Sequence, residues 1–249
     1  MEMISLSSVT RDYAEIDSTN EEMNRLLGTG PLEEGTVIRA EFQTAGKGHR
    51  GNTWTSERGR NLLFSILLKP VSLPVERAFD LSRITSLSLL EVLAKQSLES
   101  LIKWPNDILA GSRKICGILI ENSITGKRIG HSIIGVGLNV NQDRFDPGIP
   151  APTSMLLEKG CQFDRNSLLE QFRSAMEGWY RELLAGNYGR IQEAYLARLY
   201  RVGAPARYSD GNRTFTASIL GVLPGGELEL QLEGGGIRKY AFKEIEYVD

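Results

Sequence analysis

The stretch Thr36-Val37-Ile38-Arg39-Ala40-Glu41-Phe42-Gln43-Thr44-Ala45-Gly46-Lys47-Gly48-His49-Arg50-Gly51-Asn52-Thr53-Trp54 decides the fold of this 249-residue chain, because its spacing fits one common architecture and its context contradicts it. Residues Thr36 to Phe42 alternate apolar and polar side chains, the period of a strand with one buried face. The loop that follows, Gly46-Lys47-Gly48-His49-Arg50-Gly51, has the GxGxxG spacing of a dinucleotide-binding turn. Such a turn requires an apolar helix directly after its last glycine and an acid about 20 residues on for the ribose. Neither is present. The next apolar run, Leu62 to Leu68, closes in Lys69-Pro70 and has the length of a buried strand. A kinase-type glycine loop is excluded as well, since no HRD or DFG sequence follows. The segment is a strand feeding a loop whose backbone N–H groups and basic side chains (Lys47, His49, Arg50) suit an anion. Taken alone, it reads equally well as a solvated surface loop.

Upstream, Ser18-Thr19-Asn20-Glu21-Glu22 opens a short helix that Gly28 stops. Ser18 or Thr19 with Glu21 or Glu22 has the spacing of a capping box, worth about 0.5–2 kcal/mol. The same polar cluster also suits hydrogen bonding to a small ligand at the helix start. Downstream, Ala78, Leu81, Ile84, Leu87, Leu90 and Leu93 recur at helical spacing, so a long helix is expected from Pro74 to Ala94. Lys114 to Glu121 and His131 to Asn141 read as adjacent strands joined by a turn at Thr125-Gly126. Gly135 and Gly137 inside the second strand indicate close approach of another backbone or of a flat ring. After Pro147, Pro150 and Pro152, helices are expected over Asn166 to Ala185 and Tyr188 to Tyr200. From Gly203 the chain changes to short alternating runs between glycine turns, the pattern of a small all-β barrel. This places one domain over 1–202 and a second over 203–249.

Composition bounds the function. The chain is 41% hydrophobic and 24% charged, enough for a sizeable core. No apolar run approaches the ~18 residues of a bilayer span, and the N-terminus has no secretory-signal pattern. A net charge of -2 argues against electrostatic binding to DNA. Cys116 and Cys161 form no CxxC pair, which fits a reducing cytoplasm, and His49 and His131 supply no zinc-ligand spacing.

Lys103-Trp104-Pro105-Asn106-Asp107 is the sharper chemical signal. Proline restricts Trp104 and thereby fixes the directions of the flanking Lys103 and Asp107. A lysine so held can meet the developing negative charge of an acyl or phosphoryl transition state, and a carboxylate beside it can orient it. The bland alternative is a Pro-Asn-Asp turn beneath a packed Trp. Lys114 opens the strand Ile115 to Glu121, either as a snorkelling end or as the partner of a substrate carboxylate. Asn139, after the two glycines, is placed to pair with a base edge.

Taken in order, Asp17-Ser18-Thr19-Asn20, Gln43 to Trp54, Lys103 to Asp107, Arg113-Lys114 with Gly117 to Glu121, and Gly135-Val136-Gly137-Leu138-Asn139 resemble the biotin protein ligases. The resemblance covers residues 12 to 141 and extends loosely to the C-terminal region. It implies an α+β fold: a mixed β-sheet with helices, related to class II aminoacyl-tRNA synthetases, followed by an SH3-like domain. It implies a two-step reaction in which biotin and ATP with Mg2+ give biotinyl-5'-AMP, and a lysine of a biotin carboxyl carrier protein then takes the biotinyl group. The segment ahead of Tyr13 is too short for the DNA-binding winged helix of some members, so a ligase-only chain without DNA or membrane partners is expected. A homodimer is left open.

The resemblance assigns Ser18, Thr19, Asn20 and Gln43 to biotin, whose ureido groups need partners when buried. Lys47, Gly48 and His49 lie on the lid over the carboxylate. Gly46, Arg50, Trp54 and Asn139 fall on the ATP or adenylate side. Lys103 serves the reacting centre with Lys47, Lys114 holds the carboxyl or phosphate side, and Asp107 orients Lys103 or helps position magnesium. No protein ligands for the metal are assigned, because Mg2+ arrives with the ATP phosphates. The lid departs from the usual Gly-Arg-Gly-Arg-Arg-Gly, with Lys47 and His49 standing where arginines are common; lysine gives up the bidentate fork and a histidine of pKa near ~6.5 can be neutral. Two other readings stay open on the residues alone: a lipoate-type ligase of the same fold, and a non-catalytic sensor of biotin or its adenylate.

Overall fold

The computed structural model describes residues 6–48 and 51–248. Seven strands form a mixed sheet: β1 (Thr10–Tyr13), β2 (Val37–Ala40), β3 (Leu62–Leu68), β4 (Leu101–Lys103), β5 (Asp107–Ala110), β6 (Arg113–Thr125) and β7 (Arg128–Leu138). Their order is β1-β2-β3-β7-β6-β5-β4, with β1 and β2 parallel and every other pair antiparallel.

The apolar run of β3, interrupted only by Ser65, follows from its place near the middle of this sheet, where both faces are covered. Phe64, Ile66 and Leu68 point to the main core, made with α2 (Phe79–Lys95), α4 (Arg165–Leu184) and α5 (Tyr188–Leu196). Phe64 meets Phe172 of α4 edge-on, ring centroids 5.0 Å apart. On the opposite face Leu67 joins Ile38, Ile133 and Met23 in a smaller cluster beneath α1 (Thr19–Thr29). A short helix, α3 (Met155–Lys159), is capped by the Ser154 hydroxyl, which accepts the Leu157 N–H.

The C-terminal region is an all-antiparallel five-stranded sheet of β8 (Pro205–Ser209), β9 (Thr214–Val222), β10 (Leu228–Leu232), β11 (Ile237–Tyr240) and β12 (Glu246–Val248), ordered β11-β10-β9-β8-β12. Hydrogen bonds from Arg83 and Trp104 help fasten it to the rest of the protein. Arg83, wholly buried on α2, pairs with Asp80 one turn earlier and donates to the carbonyls of Val222 (2.7 Å) and Leu223 (2.9 Å). The Trp104 indole N–H donates to the Gly226 carbonyl at 2.8 Å. Gly226 has φ +103°, and a Cβ there would fall 2.8 Å from Phe79 Cδ2, so this tight approach requires glycine.

Three helical expectations change. Gly28 does not stop α1, which runs on to Thr29 with Gly30 at its C-cap. The segment after Pro74 makes a separate 3-10 turn, Val75–Arg77, before α2 starts at Phe79. The last helix ends at Leu196 rather than Tyr200, because the backbone beyond it pairs with the edge of β4: Ile102 N–H donates to Arg198 O and Tyr200 N–H to Ile102 O, both at 2.8 Å. An edge strand's unpaired groups outcompete another helical turn.

Candidate active site

On the α1 side of the sheet the middle strands are stripped to backbone. Gly137 pairs with Gly117 and Gly135 with Ser65 and Leu119, so three glycines and one serine share a face. A Cβ at position 135 would stand 2.4 Å from Asn20 Oδ1, and one at 117 or 137 would stand 2.8 or 2.5 Å from ring carbons of Trp54. The flat ring expected against these glycines is therefore the protein's own indole. Its Nε1–H is buried with no hydrogen-bond partner among the described residues, a costly state for a donor that a ligand acceptor would relieve.

The start of α1 is knit into this floor. Ser65 Oγ lies 2.6 Å from Asn20 Oδ1 and 2.7 Å from Thr19 Oγ1. A hydroxyl has one proton, and the amide oxygen can only accept, so Ser65 donates to Asn20 and receives from Thr19. Asn20 Nδ2 donates to Glu121 at 2.7 Å and the Thr19 N–H donates to Gln43 Oε1 at 2.7 Å. The capping-box expectation is overturned. Ser18 is the N-cap by backbone, φ -155° and ψ 139°, but its side chain caps nothing, and the Thr19 hydroxyl is spent on Ser65. Ser18, Thr19, Asn20, Gln43, Lys47, Gly48, Trp54 and Lys114 line a pocket of about 50 Å3 over the glycines. That is well below the ~300–1,000 Å3 of ordinary ligand sites, and the Trp54 ring is what fills it.

The described arms of the glycine loop, 46–48 and 52–54, pair with each other. Gly48 N–H donates to Asn52 O at 2.7 Å and Trp54 N–H to Gly46 O at 2.9 Å, while a Cβ at Gly46 would be 2.3 Å from the Trp54 carbonyl. Lys47 reaches Glu21 on α1, and that hydrogen bond holds its ammonium pKa above the ordinary lysine value. His49 and Arg50, assigned to biotin and to the adenylate, lie outside the described residues.

Beyond Trp54 the pocket continues into a cavity of about 730 Å3 lined by Lys103, Asp107, Lys114, Asn139, Tyr200 and Tyr247, among others. Trp54 and Lys114 line both spaces. Lys103 and Asp107 face each other across the β4–β5 hairpin, and Leu109 pairs with Lys114, so both lysines and the acid share the glycine face. Asp107 does not pair with Lys103 as expected: its Oδ1 takes Lys114 Nζ at 2.7 Å. The β-bulge after Ile108 carries Lys114 one position closer to Asp107, which accounts for the choice. Lys103 Nζ instead stands 5.1 Å from the Tyr247 ring centroid. Asn139 lines the same cavity, but Nδ2 already donates to Thr153 O at 2.9 Å.

Residues 13–139 match the biotin/lipoate A/B protein ligase family. The chain belongs to that family. Within it, the chain is 31% identical to the biotin--[acetyl-CoA-carboxylase] ligase of Paracoccus denitrificans, over 85% of this chain and 88% of that one. It is 32% identical to the bifunctional ligase/repressor BirA of Escherichia coli, over 88% of this chain and 68% of the other. In fold it is similar to the biotin protein ligase of Aquifex aeolicus in complex with biotin and ATP, with a TM-score of 0.81, 24% identity, and 97% and 100% of the two chains covered.

Set beside the family motifs, the structure brings together Ser18, Thr19, Asn20, Gln43, Lys47, Gly48, Trp54 and Lys114 in one space and Lys103, Asp107 and Asn139 in the adjoining one. It adds four residues that the motif reading passed over. Ser65 is the sole polar side chain in Leu62–Leu68, a signal that was there to be used. Asn106 lines the small pocket and donates to Ile118 O at 2.8 Å. Tyr200 and Tyr247 come from beyond the catalytic motifs and carry no sequence signal of their own. No helix among the described residues is long and apolar enough to cross a membrane.

Proposed function

We propose that this family member activates biotin with ATP and transfers it to a lysine of a biotin carboxyl carrier domain, the substrate class of acetyl-CoA carboxylase. One observation carries the reading: a small polar slot and a large cavity meet at Trp54 and Lys114, with Lys103 in the larger space. Biotin's ring system would enter the slot once the Trp54 ring withdraws from the glycines, meeting Ser18, Thr19, Asn20 and Gln43. Its carboxylate would emerge beside Lys114, where ATP filling the cavity presents its α-phosphate.

In the first step a carboxylate oxygen attacks the α-phosphorus, and the bond to the β-phosphate breaks to release pyrophosphate. In the second, the ε-amine of the carrier lysine attacks the acyl carbon of the mixed anhydride, forming an amide and releasing AMP and a proton. Lys103 and Lys114 offset negative charge on the phosphate and the attacking carboxylate in a partly enclosed space, where such interactions are strong. Lys47 and the lid close over the intermediate once Trp54 and Glu21 release their present contacts. Among the described residues no group of three or more His, Cys, Asp or Glu side chains could hold a metal. Asp107 is engaged by Lys114, and Mg2+ would arrive with the nucleotide phosphates. In this reading 1–202 is the catalytic domain and 203–249 the smaller one.

The test is ATP-dependent incorporation of labelled biotin into a purified carrier domain, with pyrophosphate release followed in parallel. Biotin should support both and lipoate neither. Lys103→Ala should abolish pyrophosphate release with the thermal unfolding midpoint unchanged. Binding of biotin without any pyrophosphate release would leave a sensor as the better account.

A further inference from the structure

Three consecutive residues at the end of β4 and the start of the turn after it are each engaged by the C-terminal part of the chain. Ile102 exchanges backbone hydrogen bonds with Arg198 and Tyr200, both at 2.8 Å. Trp104 donates to Gly226 O and lies 5.8 Å, ring to ring, from Phe242. Between them Lys103 places its ammonium 5.1 Å from the ring centroid of Tyr247 on β12. We propose that Tyr247 is a positioning residue for Lys103, holding the ammonium at the cavity wall through the face of its ring. The inference rests on the proposed adenylation at this site and extends it to a residue of the C-terminal sheet.

The physical case is one of charge kept available. A lysine with four rotatable side-chain bonds needs a partner if it is to wait in one place. A carboxylate partner would supply that order while neutralising the charge and occupying the donors. Asp107, the nearest acid across the hairpin, is taken by Lys114. Among the described residues no carboxylate forms an ion pair with Lys103. An aromatic face attracts the cation and leaves its three N–H donors for the phosphate.

The ring itself is held in place. Tyr247 is opposite Tyr208 in the β8–β12 pair, their ring centroids 5.4 Å apart, and Tyr200 packs at 6.2 Å. The Tyr247 hydroxyl is buried without a hydrogen-bond partner among the described residues, and it is the ring that faces Lys103.

The experiment compares Tyr247→Phe with Tyr247→Leu in the full-length protein. Tyr247→Leu should lower kcat for biotin-dependent pyrophosphate release roughly tenfold, with KM for biotin changed less than about twofold, and Tyr247→Phe should stay within about twofold throughout. A second arm does not depend on turnover. The Cε methylene protons of Lys103, assigned by their disappearance in Lys103→Arg, should show an upfield ring-current shift that Tyr247→Phe keeps and Tyr247→Leu removes. Unchanged kcat in Tyr247→Leu, an equal loss in Tyr247→Phe, or an absent ring-current shift overturns the inference while the proposed function stands. Absence of pyrophosphate release from the unaltered protein overturns the proposed function, a failure distinct from those three.

Discussion

Trp54 rests on Gly137 so closely that a Cβ at position 137 would fall 2.5 Å from its Cε2 and 2.7 Å from its Nε1. Gly137 is not in a left-handed conformation, so space rather than backbone freedom is what requires glycine there. Gly137→Ala should therefore push the indole off the floor. Fluorescence quenching by acrylamide should rise relative to the parent protein, and biotin affinity should fall because the added methyl occupies the slot. Overpacking of this kind costs about 1–3 kcal/mol, readable as a lower unfolding midpoint. Unchanged quenching and affinity would remove Trp54 from its place over the glycines. Gly135→Ala has a different neighbour, Asn20 Oδ1 at 2.4 Å, and should disturb the Thr19–Ser65–Asn20 bonds while leaving quenching of Trp54 as it was.

The buried Asp80–Arg83 pair gives a second prediction. Both side chains are fully shielded from solvent, and Arg83 Nη2 donates to the carbonyls of Val222 and Leu223 at the end of β9. Arg83→Met keeps much of the volume but strands Asp80 with only Arg77, itself partly exposed. Removing one partner of a buried pair costs about 3–5 kcal/mol. Chemical denaturation should show that loss as a reduced midpoint. Amide exchange should quicken first in 205–248, because the carbonyls of Val222 and Leu223 lose their donor together. A variant within about 0.5 kcal/mol of the parent would show that the C-terminal sheet is held by its apolar contacts instead.

The thiols separate by burial. Cys116 lies in the core on β6, and burial drives its pKa far up, whereas Cys161 is exposed. A thiolate is the reactive species. A thiol reagent at pH 8 should label Cys161 rapidly in the native protein and reach Cys116 only in denaturant. Cys161→Ser should leave the native protein unreactive. Rapid native labelling of Cys116 would mean that β6 opens far more often than its central place in the sheet allows.

Much of this architecture was legible because it is written in short-range pattern. The apolar run Leu62 to Leu68, the turn at Thr125-Gly126 and the glycine punctuation after Gly203 each reflect local periodicity or backbone demand. The motif residues converge because their strands are neighbours in the sheet. What could not be read is long-range partner choice. Asp107 stands nearest Lys103 along the hairpin, yet a bulge in β5–β6 hands it to Lys114. Gly137 signalled a flat ring, but nothing local says that Trp54, far off in the chain, supplies one. Trp104 looked like a turn residue beside the chemistry, and its indole N–H proves to hold the C-terminal sheet. Ser18 had every local feature of a capping residue, and tertiary partners at Ser65 and Gln43 took over the polar groups around it.

The pair formed by Asp17 and Arg25 makes the last prediction, one of pH. Arg25 reaches back from α1 and donates to both oxygens of Asp17, at 2.8 and 2.7 Å, while the Ser18 N–H donates to Oδ1 at 2.7 Å. The hydrogen bonds from Arg25 are the largest cause of a carboxyl pKa lowered from 3.8 to about 2. A folded-state pKa below the unfolded one means that the unfolded chain binds the proton more tightly, so acid favours unfolding. The contribution is complete above about pH 4, declines as pH falls through the interval down to about 2, and is gone below it. Its size is limited, because Asp17 and Arg25 are 44% and 49% exposed and water screens the pair. We expect no more than about 1 kcal/mol. Asp17→Asn should thus be slightly less stable than the parent at pH 6, with the two unfolding midpoints converging as pH approaches 2. Carboxyl NMR titration should place Asp17 well below the usual aspartate value, and Arg25→Met should raise it toward that value. A gap between the two proteins that stays constant from pH 6 to pH 2 would show that Asp17 supports the start of α1 by packing or by hydrogen bonds indifferent to its charge.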